Sequence, residues 1–211
     1  MTNPNLTLIG FLIDRSGSMS SCREDMEGGI NTTVSEQAKQ PGQAEVAIAQ
    51  FDTEYETVLP PTPIDQVKPY RLVPRGGTAL LDGIGKFVVE LGENLSNRAE
   101  SARPGKVIVC IVTDGYENSS REWTGDKVKE LVKRQQDEYQ WEFIFLGANI
   151  DAIATGGDLG LARGSTMDFD SSSTVATAAA YGAVSNYMTT SRAGGQASFS
   201  EEERKQSMSS K

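Results

Sequence analysis

Residues 107–115 read Val-Ile-Val-Cys-Ile-Val-Thr-Asp-Gly, six apolar residues followed by a polar turn. A strand that is apolar on both sides is expected in a sheet covered on both faces, as in parallel α/β proteins. The segment from Leu6 to Ile13 has the same character and is followed by Asp14. The two segments therefore predict inner strands of one sheet, with residues 107–112 near its centre.

Further strands are predicted at residues 46–51 and 143–146, and a short edge strand is predicted at residues 165–169. A further run, Tyr55 to Leu59, follows the strand at 46–51 after a short turn and predicts an antiparallel edge strand. The prolines at 60, 61 and 63 are expected to end it, since proline cannot donate to a strand ladder.

Helical patterns separate the strands. Met26, Ile30, Val34 and Ala38 recur every four residues and predict one helix. Further helices are predicted at residues 80–95, from Thr124, at 150–155, and from about 173 to 190. This alternation predicts an α/β fold, a Rossmann-like, open, mostly parallel sheet of about six strands with one antiparallel edge strand and helices on both faces.

The length of 211 residues suits one such domain. We assign it to residues 1–190. Residues 191–211 are rich in Ser, Gly and charged side chains, and they predict a flexible polar tail with a helical turn at 201–206.

The composition excludes several functions. The chain has no histidine, which removes histidine-based catalysis and histidine metal ligands. Its two cysteines, Cys22 and Cys110, do not form a disulfide framework or a zinc site. The net charge of −9 without a basic stripe argues against nucleic acid as partner. No apolar run approaches a membrane span, and the N-terminus does not read as a signal peptide, so we expect a cytoplasmic protein.

Three polar segments stand out beside the predicted strands and helices. Residues 14–18, Asp-Arg-Ser-Gly-Ser, follow the first strand, residues 113–115 follow the central strand, and residues 76–78, Gly-Gly-Thr, precede a helix. Ligands bind to open α/β sheets at the carboxyl ends of the strands. We therefore expect Asp14 and Asp114 side by side if their strands are neighbours.

The oxygen atoms of these segments suit a hard cation. Two close carboxylates repel each other unless a proton or a cation lies between them. The hydroxyls of Ser16, Ser18 and Thr78 add neutral oxygens, and no soft ligand is present. This set favours Mg²⁺, with Mn²⁺ and Ca²⁺ as open alternatives.

The five residues together resemble the metal-ion-dependent adhesion site of von Willebrand factor A domains. The resemblance covers roughly residues 5–190, and the motif is filled by Asp14, Ser16, Ser18, Thr78 and Asp114. It implies that the three hydroxyls contact the metal, that the two aspartates act through water, and that a partner protein supplies an Asp or Glu. The sequences of residues 14–19 and 113–118 are similar to those of bacterial or phage intracellular members of this family.

The resemblance implies a metal-dependent protein-interaction module without catalysis. One alternative is a Mg²⁺-dependent phosphohydrolase with Asp14 as nucleophile, although Ser16 stands where such enzymes place a second acid. Another is an accessory subunit of an ATPase-containing stress-resistance or phage-related system. Self-association through Glu201–Glu203 also remains open. We expect Arg15 to be solvated or to face a partner, and Glu117 and Asn118 to form a surface turn.

Overall fold

The computed structural model describes residues 1–208. Its strands are β1 (Asn3–Asp14), β2 (Gln43–Phe51), β3 (Tyr55–Pro63), β4 (Pro104–Thr113), β5 (Glu142–Ala148) and β6 (Thr166–Phe169). Its α-helices are α1 (Arg23–Ala38), α2 (Leu80–Ser96), α3 (Gly125–Tyr139), α4 (Ala152–Asp158), α5 (Thr174–Arg192) and α6 (Glu201–Gln206). The predicted alternation of strands and helices is confirmed.

The strands form one sheet in the order β3-β2-β1-β4-β5-β6. All neighbouring pairs are parallel except β2 and β3, so the predicted single antiparallel edge is confirmed. β1 pairs directly with β4, and Ile13 lies opposite Val112. The residues that follow these two strands therefore emerge side by side at the carboxyl edge.

The end of β3 differs from the sequence prediction. The strand continues through the prolines to Pro63, and Thr62 pairs with Val46 of β2. Proline is tolerated here because β3 is an edge strand, where a missing N–H costs no ladder bond on the open side. The register of the pair shifts twice along this stretch, as expected for an irregular edge.

Helices cover both faces of the sheet, and each face has its own apolar core. Alternate residues of β1 point to opposite sides: Ile9 and Phe11 pack beneath α1 and α5, whereas Leu8 and Leu12 pack beneath α2, α3 and α4. Because both faces of the central strands are buried, those strands need the continuous apolar runs seen in the sequence.

The buried face of α1 departs from the predicted stripe. Met26 and Ile30 are buried, but the next buried positions are Thr33 and Gln37, and Ala38 is exposed. Gln37 is satisfied there because its amide donates to the carbonyl of Ser185 in α5 at 3.0 Å. The contact of α1 with α5 is therefore partly polar.

The segment after α5 folds back along α5 and β6. Phe199 is buried, and its ring lies 5.4 Å from that of Tyr187. Arg204 donates to the carbonyl of Thr166 and Ser207 to that of Asp168, both at 2.7 Å. The predicted helical turn at 201–206 is confirmed as α6. The domain boundary at residue 190 and the flexibility of the tail 191–211 stay predictions, and residues 209–211 lie outside the described part.

Within residues 1–208, no helix combines the length and the apolar character that a membrane crossing requires.

Candidate metal site at the carboxyl edge of the sheet

Asp14 ends β1 and is held from two sides. Its Oδ1 accepts a hydrogen bond from the backbone N–H of Ser16 at 2.6 Å, and its Oδ2 accepts one from the hydroxyl of Thr113 at 2.6 Å. The side chain is fully buried. Thr113 was not among the predicted site residues, although its place at the end of β4, next to β1, could have indicated it.

The two serines join Asp14 to Asp114. The hydroxyl of Ser18 donates to Asp114 Oδ1 at 2.7 Å and lies 3.0 Å from the hydroxyl of Ser16. The Ser16 hydroxyl is itself 3.5 Å from the same Asp114 oxygen. Four of the five predicted residues are thus brought into one connected group across β1 and β4.

Thr78, the fifth residue, lies beside this group and is buried. A Cβ atom built on Gly115 would come within 3.4 Å of the Thr78 hydroxyl oxygen. Among the described residues, none forms a hydrogen bond with that hydroxyl. The structure therefore places all five predicted residues together, and it leaves the Thr78 oxygen free to bind something else.

The loop after β4 holds Thr78 in place. Asn118 Oδ1 accepts from the backbone N–H of Thr78 at 2.9 Å, and Glu117 Oε2 accepts from that of Leu81 at 2.9 Å. Glu117 also accepts from the backbone N–H groups of Ser119 and Ser120. The prediction of a plain surface turn is therefore incomplete, because both side chains connect the β4 loop to the start of α2.

The pKa values of both aspartates are raised, mainly by burial. Burial raises the pKa of Asp14 to about 6, in spite of hydrogen bonds from Thr113 and Ser16 that lower it, and the charge of Asp114 adds to the rise. Burial also raises the pKa of Asp114, against the hydrogen bond from Ser18. Neither carboxylate forms an ion pair with any residue in the range 1–208. The site therefore favours a positive charge or a proton between them.

The donor set fits a hard cation. It consists of two carboxylates and three hydroxyls, all of them oxygen. Within residues 1–208, no group of three or more His, Cys, Asp or Glu side chains that could hold a metal ion is found, so a cation at this site would depend on the hydroxyl oxygens as well as on the two carboxylates. The five residues thus match a cation such as Mg²⁺, which retains several water ligands, better than a metal that needs thiolate or imidazole.

Arg15 does not face solvent, and that expectation is wrong. Its side chain is 5% exposed and forms ion pairs with Asp52, which follows β2, and with Glu56 of β3. The pattern Asp-Arg-Ser-Gly-Ser gives no sign of this, because the partners come from other strands. Asp52 itself ends a strand at the same edge, and that position could have identified it as part of the site.

Comparisons with known proteins agree with this architecture. No protein-family model matches the chain, and no curated protein matches it. Among solved structures, it is similar to proximal thread matrix protein 1 from the mussel byssus, with 16% identity over 87% of this chain and 46% of that one, at a TM-score of 0.61. It is also similar to "von Willebrand factor type A from Catenulispora acidiphila", with 16% identity, 87% and 42% coverage and a TM-score of 0.60.

A third similar structure is the pilus adhesin SpaC from Lactobacillus rhamnosus GG, with 14% identity, 88% and 31% coverage and a TM-score of 0.60. The chain thus spans less than half the length of each of these structures. At such identities the likeness shows the fold, which is that of von Willebrand factor type A domains. A complete adhesion-type metal site and a bacterial or phage origin stay predictions.

Proposed function

We propose that this chain is a divalent-metal-dependent protein-interaction module. The metal would be held by Asp14, Ser16, Ser18, Thr78 and Asp114, and a partner protein would bind to it through an Asp or Glu side chain. One observation carries the proposal: two buried carboxylates lie within one hydrogen-bonded group of hydroxyls and have no cationic partner among the described residues.

The arrangement of the donors supports separate roles for hydroxyls and carboxylates. Both oxygens of Asp14 already accept hydrogen bonds, from Ser16 and Thr113. This favours an Asp14 that acts on the cation through water, as the family resemblance implies. Carboxylates one water away leave more of the cation's charge for an outside ligand, and a bound cation would supply a strong, directional anchor for a carboxylate.

We propose Mg²⁺ as the metal, with Mn²⁺ and Ca²⁺ as alternatives that the same oxygens can serve. The proposed partner is a protein, not nucleic acid, because the chain carries a net charge of −9. A cytoplasmic location, a role beside an ATPase in a bacterial or phage-related system, and self-association are further proposals that partner capture would address.

We also propose that the chain has no catalytic activity of its own. A phosphohydrolase of this general architecture would use Asp14 as the nucleophile. Asp14 is fully buried and each of its oxygens accepts a hydrogen bond, which disfavours its approach to a substrate phosphorus. Phosphate release from a panel of phosphomonoesters with Mg²⁺ present should stay at the level of buffer, and turnover that Asp14→Asn abolishes would support the enzyme instead.

The first experiment is a calorimetric titration of metal-free protein with Mg²⁺ and with Mn²⁺. Saturable binding at one site is expected, and the double variant Asp14→Ala/Asp114→Ala should lose it. A matched control, Asp65→Ala/Asp137→Ala, removes the same charge at exposed positions and should bind like the wild type. Binding that survives in the site variant, or no binding to wild type, would contradict the metal site.

The partner carboxylate needs a separate test. A panel of immobilised peptides, each with one Glu and its Gln counterpart, is probed with protein loaded with Mg²⁺. We expect retention on Glu peptides only, lost in EDTA and lost in the Asp14→Ala/Asp114→Ala variant. Equal retention on Glu and Gln members would overturn the carboxylate anchor while the metal site itself could still stand.

A further inference from the structure

Arg15 is the residue between the first two candidate ligands, Asp14 and Ser16, and it points away from them into the protein. Its Nη1 lies 2.6 Å from Glu56 Oε2 and its Nε lies 2.9 Å from Asp52 Oδ2. Only 5% of the side chain is exposed. A charge buried to this degree is tolerated when it is paired, so these two contacts are needed for Arg15 to stay where it is.

Asp52 is the common partner of two segments that carry candidate ligands. Its Oδ2 contacts Arg15 of the first segment and also accepts from Nε of Arg75 at 2.7 Å, in the segment that leads to Thr78. Its backbone carbonyl accepts from Ala79, the residue after Thr78, at 2.8 Å. Asp52 is 1% exposed and Arg15 is 5% exposed, so the charge contact between them is shielded from water, although Arg15 Nε forms no hydrogen bond within residues 1–208. The side chain of Arg75 is 54% exposed, so its contact with Asp52 lies at the surface.

The backbones of the two segments are also joined. The carbonyl of Arg15 accepts from Arg75 at 2.7 Å, and Gly17 donates to the carbonyl of Gly76 at 3.1 Å. Gly76 has a φ of +70°, and a Cβ atom there would lie 3.1 Å from Cβ of Asp52. This close fit places the Ser16–Ser18 segment against the Thr78 segment with Asp52 as the joint.

We propose that Arg15 and Asp52 are positioning residues for the candidate metal site, acting as a buried ion pair that fixes the spacing between the serine hydroxyls and Thr78. The inference rests on the proposed function, since it concerns the affinity of that site. Within residues 1–208, no hydrogen bond or ion pair joins either side chain to a candidate ligand oxygen. Their effect on a cation would therefore pass through the geometry of the two segments.

The direction in which one substitution changes the Mg²⁺ affinity separates a positioning effect from a purely electrostatic effect. Arg15→Gln removes a positive charge close to the site, so direct charge repulsion alone would make Mg²⁺ bind more tightly. Loss of positioning makes Mg²⁺ bind more weakly, and removal of a supporting partner of metal ligands typically costs about 10-fold or more. We expect calorimetry to show Mg²⁺ affinity about 10-fold weaker in Arg15→Gln.

Asp52→Asn tests the other partner, although the loss of its negative charge would by itself weaken cation binding, so the discriminating result is that of the double variant. We expect Asp52→Asn to weaken Mg²⁺ binding by a similar factor. The double variant Arg15→Gln/Asp52→Asn should lose less affinity than the product of the two single losses, because the Arg15–Asp52 contact is common to both, although Arg15 also contacts Glu56 and Asp52 also contacts Arg75. If the loss of Mg²⁺ affinity in the double variant equals the product of the two single losses, the two residues act independently and the proposed shared role is wrong. Affinities are measured well below the unfolding temperature of each variant, so that partial unfolding does not enter.

The matched control lies at the other end of β2. Arg98 and Glu45 form a part-buried ion pair at 2.8 Å, far along the strand from Asp52. Arg98→Gln should leave Mg²⁺ affinity unchanged within about 2-fold, as expected for a substitution without shared partners. Should Arg15→Gln fail to fold, Arg15→Lys replaces it: the charge remains, but the planar fork that contacts both carboxylates is lost, and binding should still weaken.

The outcomes are distinguishable from those of the proposed function. Suppose that wild type binds Mg²⁺, that Asp14→Ala/Asp114→Ala abolishes this binding, and that Arg15→Gln binds equally well or more tightly. The proposed metal-dependent module would then stand, and the positioning role of Arg15 would be rejected. Absence of Mg²⁺ and Mn²⁺ binding in wild type would reject both.

Discussion

Asn118 and Thr78 are hydrogen-bonded in both directions. The side-chain oxygen of Asn118 accepts from the Thr78 N–H at 2.9 Å, and the Thr78 carbonyl accepts from the Asn118 N–H at 3.0 Å. Ser119 N–H donates to the same carbonyl at 3.2 Å. The loop that carries Asp114 is thereby bonded to Thr78, whose hydroxyl has no hydrogen bond within residues 1–208.

Asn118→Ala should loosen the contact between this loop and Thr78. The variant loses the bond to the Thr78 N–H while the backbone bond remains, so we expect a loss of about 1 kcal/mol in the free energy of unfolding. Mg²⁺ affinity should fall by about 10-fold, as for other supporting contacts. Denaturant melts and calorimetry measure the two effects, with the exposed Asn97→Ala as control; unchanged affinity would show that Thr78 needs no such support.

Asp82, near the start of α2, should make stability sensitive to acid. Burial alone would raise its pKa, but N–H groups of Arg121, Trp123 and Glu122 donate to the carboxylate, and the pKa lies below its ordinary 3.8. A carboxylate with a lowered folded pKa contributes stability above the unfolded pKa and loses that contribution as the pH falls through the folded value.

Asp82→Asn tests this contribution. At pH 7 the variant should be less stable by about 2 kcal/mol, since bonds to a charged acceptor are lost. The difference from wild type should shrink as the pH falls below 3.8, where Asp82 of the unfolded chain becomes protonated, and should be lost once the pH falls through the lower pKa of the folded protein. Urea melts at neutral and acid pH measure the free energy of unfolding of both proteins. A difference between them that stays constant across that pH range would contradict a stabilising role for the Asp82 carboxylate.

Two adjacent glycines of α1 should respond oppositely to alanine. A Cβ atom on Gly29 would lie 2.1 Å from the buried ring of Tyr181 in α5, so Gly29→Ala should cost about 1–3 kcal/mol through overpacking. Gly28 has nothing within 4 Å of such an atom, so Gly28→Ala should stabilise the helix by about 1 kcal/mol. Thermal melts of the two variants test this prediction. Equal shifts of the melting temperature would show that α1 and α5 do not pack as described.

Phe199→Ala tests whether the tail is part of the folded domain. The ring is buried between Tyr187 and Arg204, whose guanidinium lies 5.9 Å from its centroid. Removing it should cost about 3 kcal/mol and should make residues 193–208 more readily cleaved by protease. If the tail is as flexible as its composition predicts, stability and cleavage will both match wild type.

The clustering of the five candidate residues could be predicted because their signals are local, whereas their role as metal ligands stays a prediction. Asp14 and Asp114 follow apolar runs that identify the strands. Because ligands bind at the carboxyl ends of the strands in open α/β sheets, these positions indicate a binding site. The burial of Arg15 could not be predicted from the sequence, because its partners Asp52 and Glu56 come from another part of the sheet. Only strand pairing brings them within contact.

The stripe of α1 shows a second kind of failure. Four residues advance an α-helix by about 40° more than one full turn, so a strict repeat of four leaves the buried face after two steps. Met26 and Ile30 therefore lie in the core, whereas Ala38 is exposed and Gln37 is buried in its place. Apolar character alone misses Gln37, because its burial depends on the acceptors that α5 offers.

The folded-back tail has a consequence for how this sheet meets other chains. β6 is the last strand, and its outer carbonyls at Thr166 and Asp168 are already bonded to Arg204 and Ser207. At the opposite edge, β3 carries three prolines that offer no N–H. An exposed strand edge invites a foreign strand to add to it and so seeds aggregation. With two outer carbonyls of β6 bonded to the tail and β3 poor in donors, strand addition is disfavoured at both edges.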